Sequence, residues 1–463
     1  MGKEKTEEEM TYNTHTLPNG LRIIHLPSAS PVVYCGYGVA AGTRHELEGE
    51  EGLAHFCEHA TFKGTSRRSA LRVINTLEGV GGELNAFTNK ESTVYYAAVL
   101  RDHFPRAVDL LTDIVFNSTY PQAELDREVE VVCDEIESYN DSPAELIYDE
   151  FENLIFSGHP LGHGILGSAD QLRTYRREDV AGFARRHYRP DNAVFFVYGD
   201  INFRRLTTLL GRLTASLTAS LPASGMTDGM LSGRAHSPLS NNSSASGTTD
   251  GTLSEDSPTV GTYSCICPQT GNSSPALPPY TAREVIRHHG THQAHVMTGC
   301  RTFGAGDDRR MALYLLNNIL GGPGMNARLN VSLRERHGLV YTVESTMVTY
   351  SDTGLWSVYF GCDPHDIARC RRLVRRELDR MMDRPLTATA LATAKRQLKG
   401  QLAVACDNRE SFALDFGKTF LHYGHGRDIN TLFNRIDAVT ADQIQAVARE
   451  LFAPDQLTTL IFE

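Results

Sequence analysis

The chain has 463 residues, of which 41% are hydrophobic and 22% charged. This length exceeds one ordinary core, so two or more domains are expected, and the composition is that of a globular protein. A net charge of -11 without an evident basic face argues against nucleic-acid binding.

The N-terminal stretch MGKEKTEEEM is charged and carries no apolar h-region, so no secretory signal is expected. MGKEKT fits the loose myristoylation pattern at Gly2, and no second membrane signal follows it. No run of about 18 apolar residues exists, so no membrane span is expected. Nine scattered cysteines read as reduced thiols, and a cytoplasmic location is expected.

From Thr14 the pattern is strand-like. HTLPNGLRIIHLP reads as two runs around Pro18-Asn19-Gly20, a hairpin, and PVVYCGYGVAAGTR as a buried strand. Helical spacing covers GLAHFCEHATFKGT and SALRVINTLEGVGG, and ELNAFTNKESTVYYAAVL returns to strands. HFPRAVDLLTDIVFN and AELDREVEVVCDEIESYN predict amphipathic helices, and NAVFFVYGDI a closing strand.

Residues 219–279 are dominated by Ser, Thr, Gly, Pro and Asn, too poor in large apolar side chains to offset their ordering entropy. They read as a linker or insertion. Its Asn-x-Ser triplets at Asn241, Asn242 and Asn272 matter only in a secreted protein, and its Cys265–Cys267 pair is a weak metal signal. The second half resumes with the strand HQAHVMTGCRTF, the helices RRMALYLLNNILGG and ARLNVSLRERHG, the strands LVYTVESTMVTY and GLWSVYFGC, further helices, and the strand LTTLIFE. Both halves run strand, helix, strands, helices, strand, which suggests a duplicated unit. The expected fold is α+β: two homologous domains, each a mainly antiparallel sheet packed with helices. The expected boundaries are 1–218, the 219–279 segment, and 280–463.

The chemistry concentrates in His55-Phe56-Cys57-Glu58-His59. On a helix, His55 and His59 lie about 40° apart and Glu58 about 60° from His55, while Cys57 points about 160° away, into the core. Two histidines one turn apart beside a carboxylate form a zinc-hydrolase arrangement, although the bare pattern also arises by chance. Zinc requires a third ligand, and the helix AELDREVEVVCDEIE offers Glu128 and Glu135 on one face, with Val129, Val132 and Ile136 opposite. Spacing does not choose between the two glutamates.

GLAHFCEHATFKGT, GGELNAFTNKESTVYYAAV, REVEVVCDEIE, HPLGHGILG, YRPDNAVFFVYGDI and LLNNILGGPGMNARLNVSLRERHGLVYTV, in this order, resemble the M16 zinc metallopeptidases, the insulinase family. The chain length is similar to that of the short-subunit branch. The resemblance implies Zn2+ held by His55, His59 and Glu135, Glu58 as general base, and Glu128 supporting the site. It implies that LNAFT is an edge strand whose Asn85 and Ala86 pair with substrate backbone. It implies that Arg334 and Tyr341 reach the substrate from a partner chain, in a homodimer or a heterodimer with a related subunit. The implied substrate is a peptide or unfolded polypeptide, cut by a zinc metalloendopeptidase. The alternative is a non-catalytic or regulatory partner subunit of a processing-peptidase-like complex. In this comparison His163 stands where an Arg is common, and reads as a substitution rather than a ligand. His288, His289, His292 and His295 read as flanking and starting a strand, and RCRRLVRRELDR as a solvated helix face.

Overall fold

The computed structural model describes residues 11–217, 275–426 and 428–463. Gly2, the three Asn-x-Ser triplets, Cys265, Cys267 and most of the 219–279 segment lie outside the described residues.

The first sheet contains β1 (Asn13–Thr16), β2 (Arg22–Leu26), β3 (Val32–Val39), β4 (Glu83–Thr88), β5 (Thr93–Leu100) and β6 (Ala193–Tyr198). β1 and β2 form the expected hairpin, with Thr16 opposite Arg22. The strand order is β1-β2-β6-β3-β5-β4. Only β2 and β6 run parallel among the described pairs of this sheet.

The second sheet contains β7 (Glu284–Arg287), β8 (Ala294–Phe303), β9 (Val340–Thr349), β10 (Thr353–Cys362) and β11 (Thr458–Phe462). Its order is β7-β11-β8-β10-β9, and only β7 and β11 run parallel among its described pairs. The order and directions match β2-β6-β3-β5-β4 strand for strand, as a duplicated unit requires. Two findings differ from the sequence reading. β7, four residues long, precedes the strand expected to open the second half. The segment Asn330–Glu335, expected as part of a helix, is a π-helical turn.

The helices α1 (Leu53–Thr61), α2 (Ala70–Glu78), α3 (Phe104–Asn117), α4 (Gln122–Asn140) and α5 (Pro143–Ile155) follow in the first half. Strand β6 reads Ala-Val-Phe-Phe-Val-Tyr without polar alternation because both its faces are covered. Ala193, Phe195 and Val197 join Leu110, Leu111 and Ile114 of α3 in one core. Val194 and Phe196 face the other way, onto Phe416, Phe420 and Leu421 of the helix Arg409–Tyr423. The exchange is reciprocal. Ile147, Phe151 and Ile155 of α5 leave the first half to pack on Met297, Tyr359 and Leu460 of the second sheet. Fully burying a side chain such as Phe151 contributes about 2–3 kcal/mol, so these two crossing helices join the halves firmly. No helix among the described residues is long and apolar enough to cross a membrane.

Candidate metal centre

Helix α1 begins at a tight backbone junction. Gly52 adopts a left-handed φ of +86°, and an added Cβ would lie 2.7 Å from the Leu166 carbonyl oxygen. Glu46 accepts hydrogen bonds from the N–H groups of Gly52 and Ala54, satisfying two of the four donors that a helix start leaves open. Behind the helix, Leu53, Phe56, Cys57 and Ala60 are fully buried. The Cys57 sulfur lies 4.0 Å from the Tyr120 hydroxyl, on the core side, as the helical angle predicts. Burial pushes its thiol pKa up to about 12, so it is an inert thiol.

The opposite side of α1 faces α4. The rings of His55 and His59 are 4.6 Å apart between centroids. Glu135 brings one carboxylate oxygen to 3.9 Å from His55 Nε2 and the other to 3.6 Å from His59 Nε2. One donor atom from each of the three residues lies within 4.8 Å of the others, close enough for one small ion. Two imidazoles and a carboxylate with room beside them match the donor set that zinc takes in hydrolytic sites.

Glu128 stands one α4 face-repeat earlier and does something different. Its Oε1 lies 2.9 Å from His59 Nδ1, and its other oxygen pairs with Lys63. A carboxylate can only accept, so Nδ1 carries a proton, and in the neutral imidazole Nε2 is then the nitrogen with a lone pair toward Glu135. Burial works to raise the Glu128 pKa, but His59 and Lys63 hold it below the usual carboxylate range. Burial, with His59 beside it, depresses His55 to about 3, so its imidazole is neutral, the form that binds metal. Burial raises Glu58, against a 2.5 Å hydrogen bond donated by the Thr88 hydroxyl.

Thr88 ends β4, the edge strand of its sheet. Asn85 and Ala86 face Tyr96 and Tyr95 of β5 on one side, and the other side of β4 has no described strand beside it. The edge borders a cleft of about 410 Å³ that also takes in His55, Glu58, His59 and Glu135.

These residues fall within segments that match known sequences. A sequence model of the insulinase family, peptidase family M16, matches residues 23–169, and one of the peptidase M16 inactive domain matches residues 174–398. An uncharacterized zinc protease of Mycobacterium tuberculosis is 32% identical over 440 residues, covering 95% of this chain and 90% of its own. The chain belongs to the M16 family.

Two further M16 relatives show how widely the likeness extends. The uncharacterized zinc protease YmxG of Bacillus subtilis is 29% identical over 449 residues, 96% of this chain and 97% of its own. The beta subunit of bovine (Bos taurus) mitochondrial-processing peptidase is 29% identical over 441 residues, 93% of this chain and 80% of its own. The crystal structure of a protease from Helicobacter pylori shares the fold, with a TM-score of 0.80 at 20% identity, over 98% of this chain and 99% of its own.

In this M16 chain the remaining candidates sit apart. Arg334 lies in the π-helical turn and Tyr341 on β9, with the guanidinium carbon 5.7 Å from the Tyr341 ring centroid. Tyr341 is 82% exposed. Both line a cleft of about 540 Å³ in the second half, which shares no lining residue with the cleft at His55. In a single chain Arg334 and Tyr341 thus line a different cleft from Glu58. Among the described residues the His55-His59-Glu135 group is the one cluster able to hold a metal. His295 instead hydrogen-bonds to the Tyr359 hydroxyl at 2.9 Å at the start of β8, in line with a strand role.

Sequence reasoning passed over three residues that the structure places here. Thr88 carried no more signal than any strand threonine. Glu46 lies in a loop without a pattern. His163, expected only as a substitution, meets the Glu46 carboxylate at 2.8 Å.

Proposed function

We propose that this protein is a zinc-dependent metalloendopeptidase acting on peptides or unfolded segments. The observation that carries the reading is the convergence of His55, His59 and Glu135 beside a buried Glu58, at the open edge of β4. In this reading His55, His59 and Glu135 hold the zinc. Zinc supplies Lewis acidity: it makes a nucleophile of water near neutral pH and polarises a carbonyl.

The chain's own residues do the rest. Asn85 and Ala86 take the substrate as an added strand, which demands an extended, unfolded segment. Glu58 accepts the proton that water loses as it attacks the carbonyl carbon, and returns it to the amine as the C–N bond breaks. Glu128 holds His59 in the tautomer that ligation needs. Arg334 and Tyr341 donate to the developing oxyanion from a second chain, either another copy or a related subunit. The exposure of Tyr341 and the separateness of the two clefts support this pairing. The first domain, 1–218, carries the metal, and the second, 280–463, contributes substrate contacts.

The test is incubation of the purified protein, loaded with zinc, with a mixed library of unstructured peptides, with cut sites read by mass spectrometry and oligomeric mass by light scattering. Cleavage abolished by chelator and by Glu58→Gln, with zinc retained in that variant, is expected. A zinc-loaded dimer of this chain that cuts no peptide overturns the reading in favour of a non-catalytic partner subunit.

A further inference from the structure

Glu58 is buried, and it has one hydrogen-bond partner among the described residues. Thr88 Oγ1 donates to Glu58 Oε2 at 2.5 Å, while Oε1 accepts no hydrogen bond there. Thr93, opposite Thr88 in the β4–β5 register, donates its hydroxyl proton to the Ala41 carbonyl at 2.9 Å. Thr93 Oγ1 lies 3.4 Å from Thr88 Oγ1 and can accept but not donate, and the Glu58 carboxylate at 2.5 Å is the nearer and stronger acceptor, so the Thr88 proton goes to the carboxylate.

The strand end that carries Thr88 is pinned from both halves. Thr43 and Arg44 donate their backbone N–H groups to the carbonyls of Asn89 and Lys90. Glu91 accepts the Ser351 N–H, at 3.2 and 3.1 Å to its two oxygens, from the turn after β9. Asn85 and Ala86, in the middle of β4, lie on its open edge. One strand therefore offers its edge to a substrate and its terminal hydroxyl to the base.

We propose that Thr88 is the positioning residue for Glu58: its hydroxyl fixes Oε2, leaves Oε1 for the proton, and keeps the base in register with a peptide paired along β4. This rests on the peptidase reading above. A carboxylate held at one oxygen retains its rotamer when the other takes and releases a proton. Without the hydroxyl, Glu58 loses its one fixed donor in a buried site and turns toward other donors.

The test compares Thr88→Val, Thr88→Ser and Thr88→Ala with wild type and Glu58→Gln. The measurements are kcat and KM on an unstructured peptide, zinc per chain, thermal midpoint, and affinity for a non-cleavable peptide. Thr88→Val is expected to lose on the order of 100-fold in kcat, the scale of a slightly misplaced catalytic group. KM, peptide affinity and zinc content stay at wild-type values. Thr88→Ser restores kcat to within about threefold, because it restores the donor. If the valine variant does not fold, the Ser and Ala variants, which differ by the hydroxyl alone, give the same comparison. Wild-type kcat in the variants lacking the hydroxyl overturns the inference, as does a loss carried by KM or by zinc. A wild type that cuts nothing overturns the peptidase reading and this inference with it. Wild-type cleavage abolished in Glu58→Gln but intact in Thr88→Val overturns this inference alone.

Discussion

Glu46 accepts the backbone N–H of Ala54 at 2.7 Å, so a loop carboxylate caps the helix that presents His55, Glu58 and His59. The same carboxylate takes the Gly52 N–H at 3.2 Å and meets His163 Nε2 at 2.8 Å. Burial raises its pKa, and His163 and the two N–H groups counter that. Glu46→Ala strands two helix donors away from water and should cost about 2 kcal/mol. Urea unfolding of the zinc-free protein measures this, and a change within about 0.5 kcal/mol, the range of an ordinary surface substitution, contradicts the capping role.

Glu128 and Glu135 should separate in a metal-binding assay. Glu135→Ala and His59→Ala remove proposed ligands, and each should abolish stoichiometric zinc. Glu128→Gln removes only the acceptor that orients His59, and should weaken zinc by about 10- to 100-fold. Competition with a chromogenic chelator gives both constants. Equal losses in Glu128→Gln and Glu135→Ala would contradict the division of roles.

Arg44 ties the halves together. Its two terminal nitrogens donate to Asp352 at 2.8 and 2.5 Å, and one also donates to Glu91 at 2.6 Å. The Arg44 side chain is 4% exposed and that of Asp352 43%, so the pair is only partly dry. Arg44→Met should therefore cost about 2–3 kcal/mol, below the range for a fully buried pair losing one partner. Asp352→Asn in that background should add little, and a double-mutant cycle of urea midpoints checks the coupling.

Acid should destabilise the fold through its buried histidines. Burial first, then His45 and the neighbouring arginines, depress His187 to about 3. His25 and His45 are also lowered, chiefly by burial. An unfolded histidine binds a proton below pH of about 6.5, and folded His187 does not until about 3. The stability present above 6.5 is thus lost as pH falls through that window, by up to about 1.4 kcal/mol per pH unit for each such group. His187→Phe should flatten the slope of unfolding free energy between pH 6 and 4 by about one such increment. An unchanged slope would show that His187 titrates normally in the folded protein.

The sequence alone determined a good deal. A spacing of four puts His55 and His59 on one side of a helix and turns Cys57 to the core, whatever the helix packs against. The apolar run of β6 marked the strand that closes the first half, while its cover on both faces came from the packing. Seven-residue spacing put Glu128 and Glu135 on one face of α4 and could go no further. Periodicity describes directions within an element and contains no distance to the next one. Docking α4 on α1 decided which glutamate meets the two Nε2 atoms and which meets Nδ1. Tertiary packing alone also decided that α5 covers the second sheet and Arg409–Tyr423 the first, since an amphipathic helix does not say whose core it joins. The same holds for Glu46 and Thr88, which lie far from the helical motif along the chain or outside its pattern. They reach the start of α1 and the carboxylate of Glu58 only because the loop before the helix and the sheet edge fold against that helix.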